Sequence, residues 1–141
     1  MLLTLDIGNT NVTGGVFDGS QLITTFRVAT DTRRQADEYG LFLTDLLRLK
    51  GLQATQITTA CLCSVVPPLT AVFDQVCRTY FNVAPLTVSV GVRTGLPILY
   101  DSPRDVGADR IVDAVAAVKL YGPPLIVVDM GTATVFDAVS R

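Results

Sequence analysis

Along the first thirty residues apolar stretches alternate with short polar clusters. Leu2 to Asp6 is an apolar run that closes on Asp6-Ile7-Gly8-Asn9-Thr10-Asn11, a group of turn formers, and Val12 to Phe17 is apolar again. Asp18-Gly19 is a strong hairpin signal, and Leu22, Ile23, Phe26 and Val28 carry a third run, so three sequential antiparallel strands are predicted. From Ala36 to Lys50 the period changes. Tyr39, Phe42, Leu43, Leu46, Leu47 and Leu49 recur at helical spacing, and Gly51 is placed to end the helix they predict. Ile57 to Cys63 reads as a buried strand, after which Val65 to Pro68 lead into a second helix with Leu69, Val72, Phe73, Val76 and Tyr80 on one face. Leu86 to Val90 predicts another strand. Ser102-Pro103-Arg104-Asp105 has the composition of a capped helix start, with Ile111, Val115 and Val118 continuing the pattern toward Gly122, and Leu125 to Val128 is a last apolar strand ending at Asp129.

The order is three strands, then α, β, α, β, α, which suits an α/β fold with a mixed sheet and helices on both faces, similar to the ribonuclease H-like half of actin-like kinases. Val128-Asp129-Met130-Gly131-Thr132-Ala133-Thr134-Val135-Phe136-Asp137 then repeats the opening: apolar strand, Asp, any residue, Gly, polar turn, apolar strand. Asp129 reaches Asp137 sooner than Asp6 reaches Asp18, so the two turns need not superpose. The expected organisation is a first ribonuclease H-like domain over residues 1–122, followed over 123–141 by the first hairpin of a second, similar and truncated domain.

Composition narrows the possible chemistry. Hydrophobic residues make up 49% of the 141-residue chain and charged residues 17%, the signature of a globular domain with a substantial core. A net charge of −2 with no block of Lys or Arg gives no electrostatic reason to bind a nucleic acid or an anionic membrane. Apolar runs fall short of a bilayer span and Asp6 interrupts the N-terminal one, so a cytoplasmic location is expected. The absence of histidine removes the common zinc constellations and every His-based triad, leaving proton chemistry to carboxylates, Lys, Tyr, Cys or water. Cys61, Cys63 and Cys77 are expected as buried free thiols.

Three places carry candidate chemistry. Asp6 closes a strand where Gly8 permits a tight turn, so the amides of Asn9, Thr10 and Asn11 can converge on an anion beside a carboxylate able to hold Mg²⁺ directly or through water. An Asx-type turn would use the same residues structurally. Asp129, Gly131 and Thr132 offer a second such corner, and two acid-plus-glycine turns flanking a polyphosphate suit phosphoryl transfer, which depends on alignment and charge neutralisation. Gly107-Ala108-Asp109-Arg110 enters the third helix. There Asp109 can accept a proton from an attacking hydroxyl and Arg110 can bind or position a carboxylate, while a solvated Asp-Arg pair is the structural alternative. Arg33 and Arg34 with Asp31, Asp37 and Glu38 read as a solvated loop and helix start, and Tyr100 as either a buried backbone-bonded tyrosine or a ligand contact.

Asp6-Ile7-Gly8-Asn9-Thr10-Asn11, Asp101 to Arg110, and Val128 to Thr134 together resemble the three ordered motifs of type III pantothenate kinases, and the resemblance covers the whole chain. Gly-Ala-Asp-Arg separates that family from other actin-like ATPases. The family commonly has Phe where Met130 stands and Thr where Val135 stands. The resemblance implies ATP binding by Asp6, Ile7, Gly8, Asn9, Thr10, Asn11, Val12, Thr13 and Thr132, beside the Mg²⁺ that the chemistry of Asp6 already suggests. It implies pantothenate contacts from Tyr100, Gly107, Ala108, Asp109 and Arg110, with Asp109 as proton acceptor, and a monovalent cation, K⁺ or NH4⁺, at Asp129. It further implies a homodimer and a second half that completes the catalyst, so that this stretch by itself is expected to be inactive. A regulatory relative of the same fold, or another actin-like sugar or acid kinase, are the alternatives.

Overall fold

The computed structural model describes residues 1–89 and 91–141, with the backbone alone at Arg104. It divides into two compact units, Met1–Thr87 and Val88–Arg141.

The first unit is a five-stranded mixed sheet. Strands β1 (Leu2–Ile7), β2 (Asn11–Asp18) and β3 (Gln21–Ala29) form the predicted antiparallel meander, with Gly19 at φ +57° in the β2–β3 turn. Helix α1 (Ala36–Leu49) leads to β4 (Thr59–Ser64), which pairs parallel to β1, and α2 (Pro67–Tyr80) leads to β5 (Leu86–Thr87), parallel to β4. The resulting order, β3-β2-β1-β4-β5, is a ribonuclease H-like sheet. The predicted strand over Leu86 to Val90 shortens to two residues because the chain leaves the sheet edge there for the second unit; Val90 lies outside the described residues.

Alternation along β1 builds the core. Leu3, Leu5 and Ile7 point to one face with Val12, Val16 and Leu62, and both helices cover that face through Tyr39, Leu43 and Leu47 of α1 and Leu69, Phe73 and Val76 of α2. The expectation of helices on both faces does not apply within this unit, whose two helices share one side. Tyr39 meets Phe73 with ring centroids 4.6 Å apart, and its hydroxyl donates to the Asp31 carbonyl and accepts from the Asp31 N–H, each at 3.0 Å, so a buried phenol is fully satisfied. A capping box starts α1, with the Gln35 N–H donating to Glu38 Oε2 at 2.8 Å. Gly51, at φ +79°, follows its end as predicted. Arg33 pairs with Asp31 in the exposed loop before it, and the guanidinium pulls the Asp31 carboxyl down to about 2.

The second unit contains α3 (Ala108–Tyr121) and the antiparallel hairpin β6 (Leu125–Met130) and β7 (Thr134–Val139). Ser102 to Asp105 does not begin α3. Pro103–Asp105 forms a separate 3-10 turn, and extended Val106 and Gly107 stand between it and the helix. Both hairpin strands pack on α3, with Val127, Asp137 and Val139 half-buried, while Ile126, Val128, Met130 and Phe136 stay exposed. No helix among the described residues is long and apolar enough to cross a membrane.

Candidate functional site

The same alternation that buries Leu5 and Ile7 turns Asp6 to the opposite side of the sheet, where it is exposed and stands in register with Thr13 on β2 and Cys63 on β4. Beyond Ile7 the chain reverses tightly. The Gly8 N–H donates to the Asn11 carbonyl at 2.9 Å, and a Cβ on Gly8 would come within 3.1 Å of that oxygen. Thr30, just past β3, braces the turn: its hydroxyl donates to the Gly8 carbonyl at 2.6 Å and its N–H to the Thr10 carbonyl at 2.9 Å. The antiparallel register, which sets Ala29 against Asn11, brings Thr30 to this place and was the signal that could have found it. Asn9 and Thr10 are exposed, whereas the side chains of Ile7 and Val12 enter the core and leave only their backbone groups for a ligand.

In the second unit Asp129 and Gly131 form a comparable corner. The Gly131 N–H donates to the Ala133 carbonyl at 3.1 Å, and a Cβ on Gly131 would touch Asp129 Oδ2 at 3.4 Å. Asp6 faces Thr13 but Asp129 faces Val135, so the second turn closes one residue sooner. Asp129 and Thr132 are exposed. Among the described residues there is no cluster of three or more His, Cys, Asp or Glu side chains able to hold a metal ion. Each corner instead combines one carboxylate with backbone carbonyls and hydroxyls, a hard oxygen set that suits Mg²⁺ or an alkali cation completed by other ligands.

The start of α3 brings together three residues singled out from sequence and one that was not. Asp109 lies in the first turn, half-buried, and its Oδ1 accepts the Arg110 N–H at 2.8 Å. The Arg110 guanidinium reaches across to β7. Its Nε donates to Asp137 Oδ1 at 2.9 Å and Oδ2 at 3.2 Å, and Nη2 also donates to Oδ1. Tyr100 lies along the same guanidinium, with its ring centroid 5.4 Å from Arg110 Cζ. Hydrogen bonding to Asp137, opposed by burial, pushes the Arg110 pKa above its ordinary value. Tyr100 is 52% exposed, so the buried, backbone-bonded alternative does not hold. A cavity of about 570 Å³ opens beside this group, walled by residues 94–100, by Ile111 and Ala114 of α3, and by Phe136 to Val139.

The family model for type III pantothenate kinase matches residues 2–141. The chain belongs to the type III pantothenate kinase family. The type III pantothenate kinase of Geobacter sulfurreducens is 52% identical over 141 residues, which are 100% of this chain and 55% of that protein. Type III pantothenate kinase 2 of Symbiobacterium thermophilum is 51% identical over 140 residues, 99% of this chain and 53% of its own length. The chain therefore spans about half the length of the curated relatives it matches. A putative N-acetylglucosamine kinase from Porphyromonas gingivalis aligns at 12% identity and a TM-score of 0.48 over 67% of this chain and 37% of its own, too slight a likeness to carry an argument.

In this member of the type III pantothenate kinase family, Asp137 is the member of the candidate group around Arg110 that the motifs do not mark. It is a lone acid on the half-buried face of β7, between Val135 and Val139, and an acid on such a face calls for a cation. Sequence spacing alone gave no means of naming a partner 27 residues away.

Proposed function

We propose that this chain supplies the acceptor-binding and much of the nucleotide-binding part of an ATP-dependent kinase that converts pantothenate to 4′-phosphopantothenate, the first step of coenzyme A biosynthesis. The family match over residues 2–141 carries the reading. The start of α3 agrees with it chemically, since the Arg110 guanidinium, the Tyr100 ring and the Asp137 carboxylate border a cavity of suitable size for a small polar acid, and Asp109, which does not itself line that cavity, accepts the Arg110 N–H next to it.

In this reading the acceptor hydroxyl oxygen bonds to the γ-phosphorus, the bond from that phosphorus to the β,γ-bridging oxygen breaks, ADP leaves, and the hydroxyl proton passes to Asp109. The transfer is loose, so the hydroxyl becomes acidic late and Asp109 acts chiefly by orientation. Tyr100, Gly107, Ala108 and Arg110 hold pantothenate. Asp6 to Thr13 and Thr132 hold ATP, with Ile7 and Val12 contributing backbone only. Asp6 would hold Mg²⁺ through water and Asp129 a K⁺ or NH4⁺ ion, which would supply charge neutralisation to the phosphates. The domain division at residues 122 and 123, a homodimer and a cytoplasmic location belong to the same proposal, with neither nucleic acid nor membrane as partner.

The test is ATP-dependent phosphate transfer by the full protein to pantothenate, run beside a panel of sugars and acetate. Formation of 4′-phosphopantothenate is expected. Phosphorylation of a sugar or of acetate in its place would overturn the assignment.

A further inference from the structure

Arg110 is fixed from three directions, and only one of them belongs to the motif that contains it. Its backbone N–H holds Asp109 Oδ1 at 2.8 Å, its guanidinium lies against the Tyr100 ring, and its Nε and Nη2 edge is taken by the Asp137 carboxylate. That edge is the fork with which an arginine ordinarily grips a carboxylate in bidentate fashion. Here an internal carboxylate occupies it, so a substrate acid can approach Arg110 only from the remaining side. The pair is well shielded, with 25% of the Arg110 side chain and 18% of the Asp137 side chain exposed, so it is screened less than a surface ion pair and removing one partner would leave the other charge poorly compensated.

Asp137 also stands where it can connect two parts of the proposed site. Through its register with Val127 it belongs to the hairpin that carries Asp129 near the end of β6 and Thr132 in the turn. Through Arg110 it grips the first helical turn, which carries Asp109. We infer that Asp137 is a positioning residue that holds Arg110 in a single pose, sets the first turn of α3 against the β6–β7 hairpin, and thereby aligns Asp109 with the acceptor hydroxyl. The inference rests on the pantothenate kinase reading for its activity readout and on geometry alone for its structural one. An acid substrate is then recognised by the outer part of a guanidinium already neutralised, which favours a ligand whose hydroxyls and amide supply much of its binding over one relying on a bare carboxylate.

The test uses Asp137→Asn in the full protein, with two independent measurements. The first is steady-state phosphorylation of pantothenate. A misaligned base predicts a kcat lower by roughly tenfold or more, with the KM for ATP within about twofold of wild type, and a smaller loss in Asp137→Glu, which restores the charge. The second is the rate at which phenylglyoxal modifies Arg110, followed by peptide mass mapping; loss of the partner predicts faster modification. An unchanged kcat with unchanged labelling would overturn the inference, as would a loss of kcat accompanied by an equal loss in ATP affinity and no change at Arg110. If the wild-type protein phosphorylates no pantothenate, the functional reading fails, and the labelling rate by itself decides whether Asp137 restrains Arg110.

Discussion

The ring of Tyr80 rests directly on Gly40: a Cβ built at that glycine would stand 2.2 Å from Tyr80 Cδ2. The contact joins α1 to α2, and the Tyr80 hydroxyl locks it by donating to Asp37 Oδ1 at 2.7 Å. Gly40→Ala gains about 1 kcal/mol of helix propensity. It also forces the ring away from a tethered position, at an overpacking cost of up to about 3 kcal/mol. A net loss of stability is expected in urea titration, and pairing the change with Tyr80→Leu should recover part of it. Equal or greater stability of the single variant would show that the two helices separate without strain.

The thiols should differ in reactivity. Cys77 is fully buried and burial pushes its pKa up to about 12, with Asp74 adding to the effect, whereas Cys61 is half-buried. A native protein should therefore expose at most Cys61 to a thiol reagent, and Cys63 and Cys77 should react only on unfolding. The pH dependence has a definite sign. Because the folded state holds the Cys77 proton more tightly than the unfolded chain, its contribution is intact below the ordinary value of 9.0 and is lost as pH climbs toward about 12. Denaturant titrations across that range should show a shallower decline in Cys77→Ala than in wild type.

Asp109→Asn in the full protein keeps the shape of the side chain and removes the proton acceptor. A fall of about 10²-fold in kcat for pantothenate is expected, with ATP affinity little changed. Unaltered turnover would remove Asp109 from the reaction.

Asp129 offers the test of the cation proposal. Replacing K⁺ by a bulky organic cation should slow the full enzyme, and Asp129→Asn should raise the K⁺ concentration needed for half-maximal rate. Turnover indifferent to K⁺ in both proteins would dismiss the site.

Much of the first unit was legible because its signals are local. Leu3, Leu5 and Ile7 alternate on one face, Asp18-Gly19 marks a turn, and Tyr39, Leu43 and Leu47 repeat at helical spacing, so strands, helix and hairpin follow from period alone. The start of α3 was misplaced since Ser102-Pro103 satisfies the same capping rules whether a 3-10 turn or a long helix follows, and the extended conformation of Gly107 has no distinct sequence mark. The motifs brought attention to Asp6, Asp109, Arg110 and Asp129 as separate points. What joins them to their surroundings is tertiary: Thr30 on the Gly8 turn and Asp137 on Arg110 come from strand register, which is fixed only when the whole sheet or hairpin is assembled.

The in-and-out rhythm of β1 limits how its gene segment can change. Adding or deleting one codon before Asp6 would swing that carboxylate into the packed interior and push Leu5 into water, whereas two codons together would leave the facing intact. Viable length variants of this strand should therefore come in even steps, and a lone insertion should survive only where a bulge absorbs it before the acid is reached.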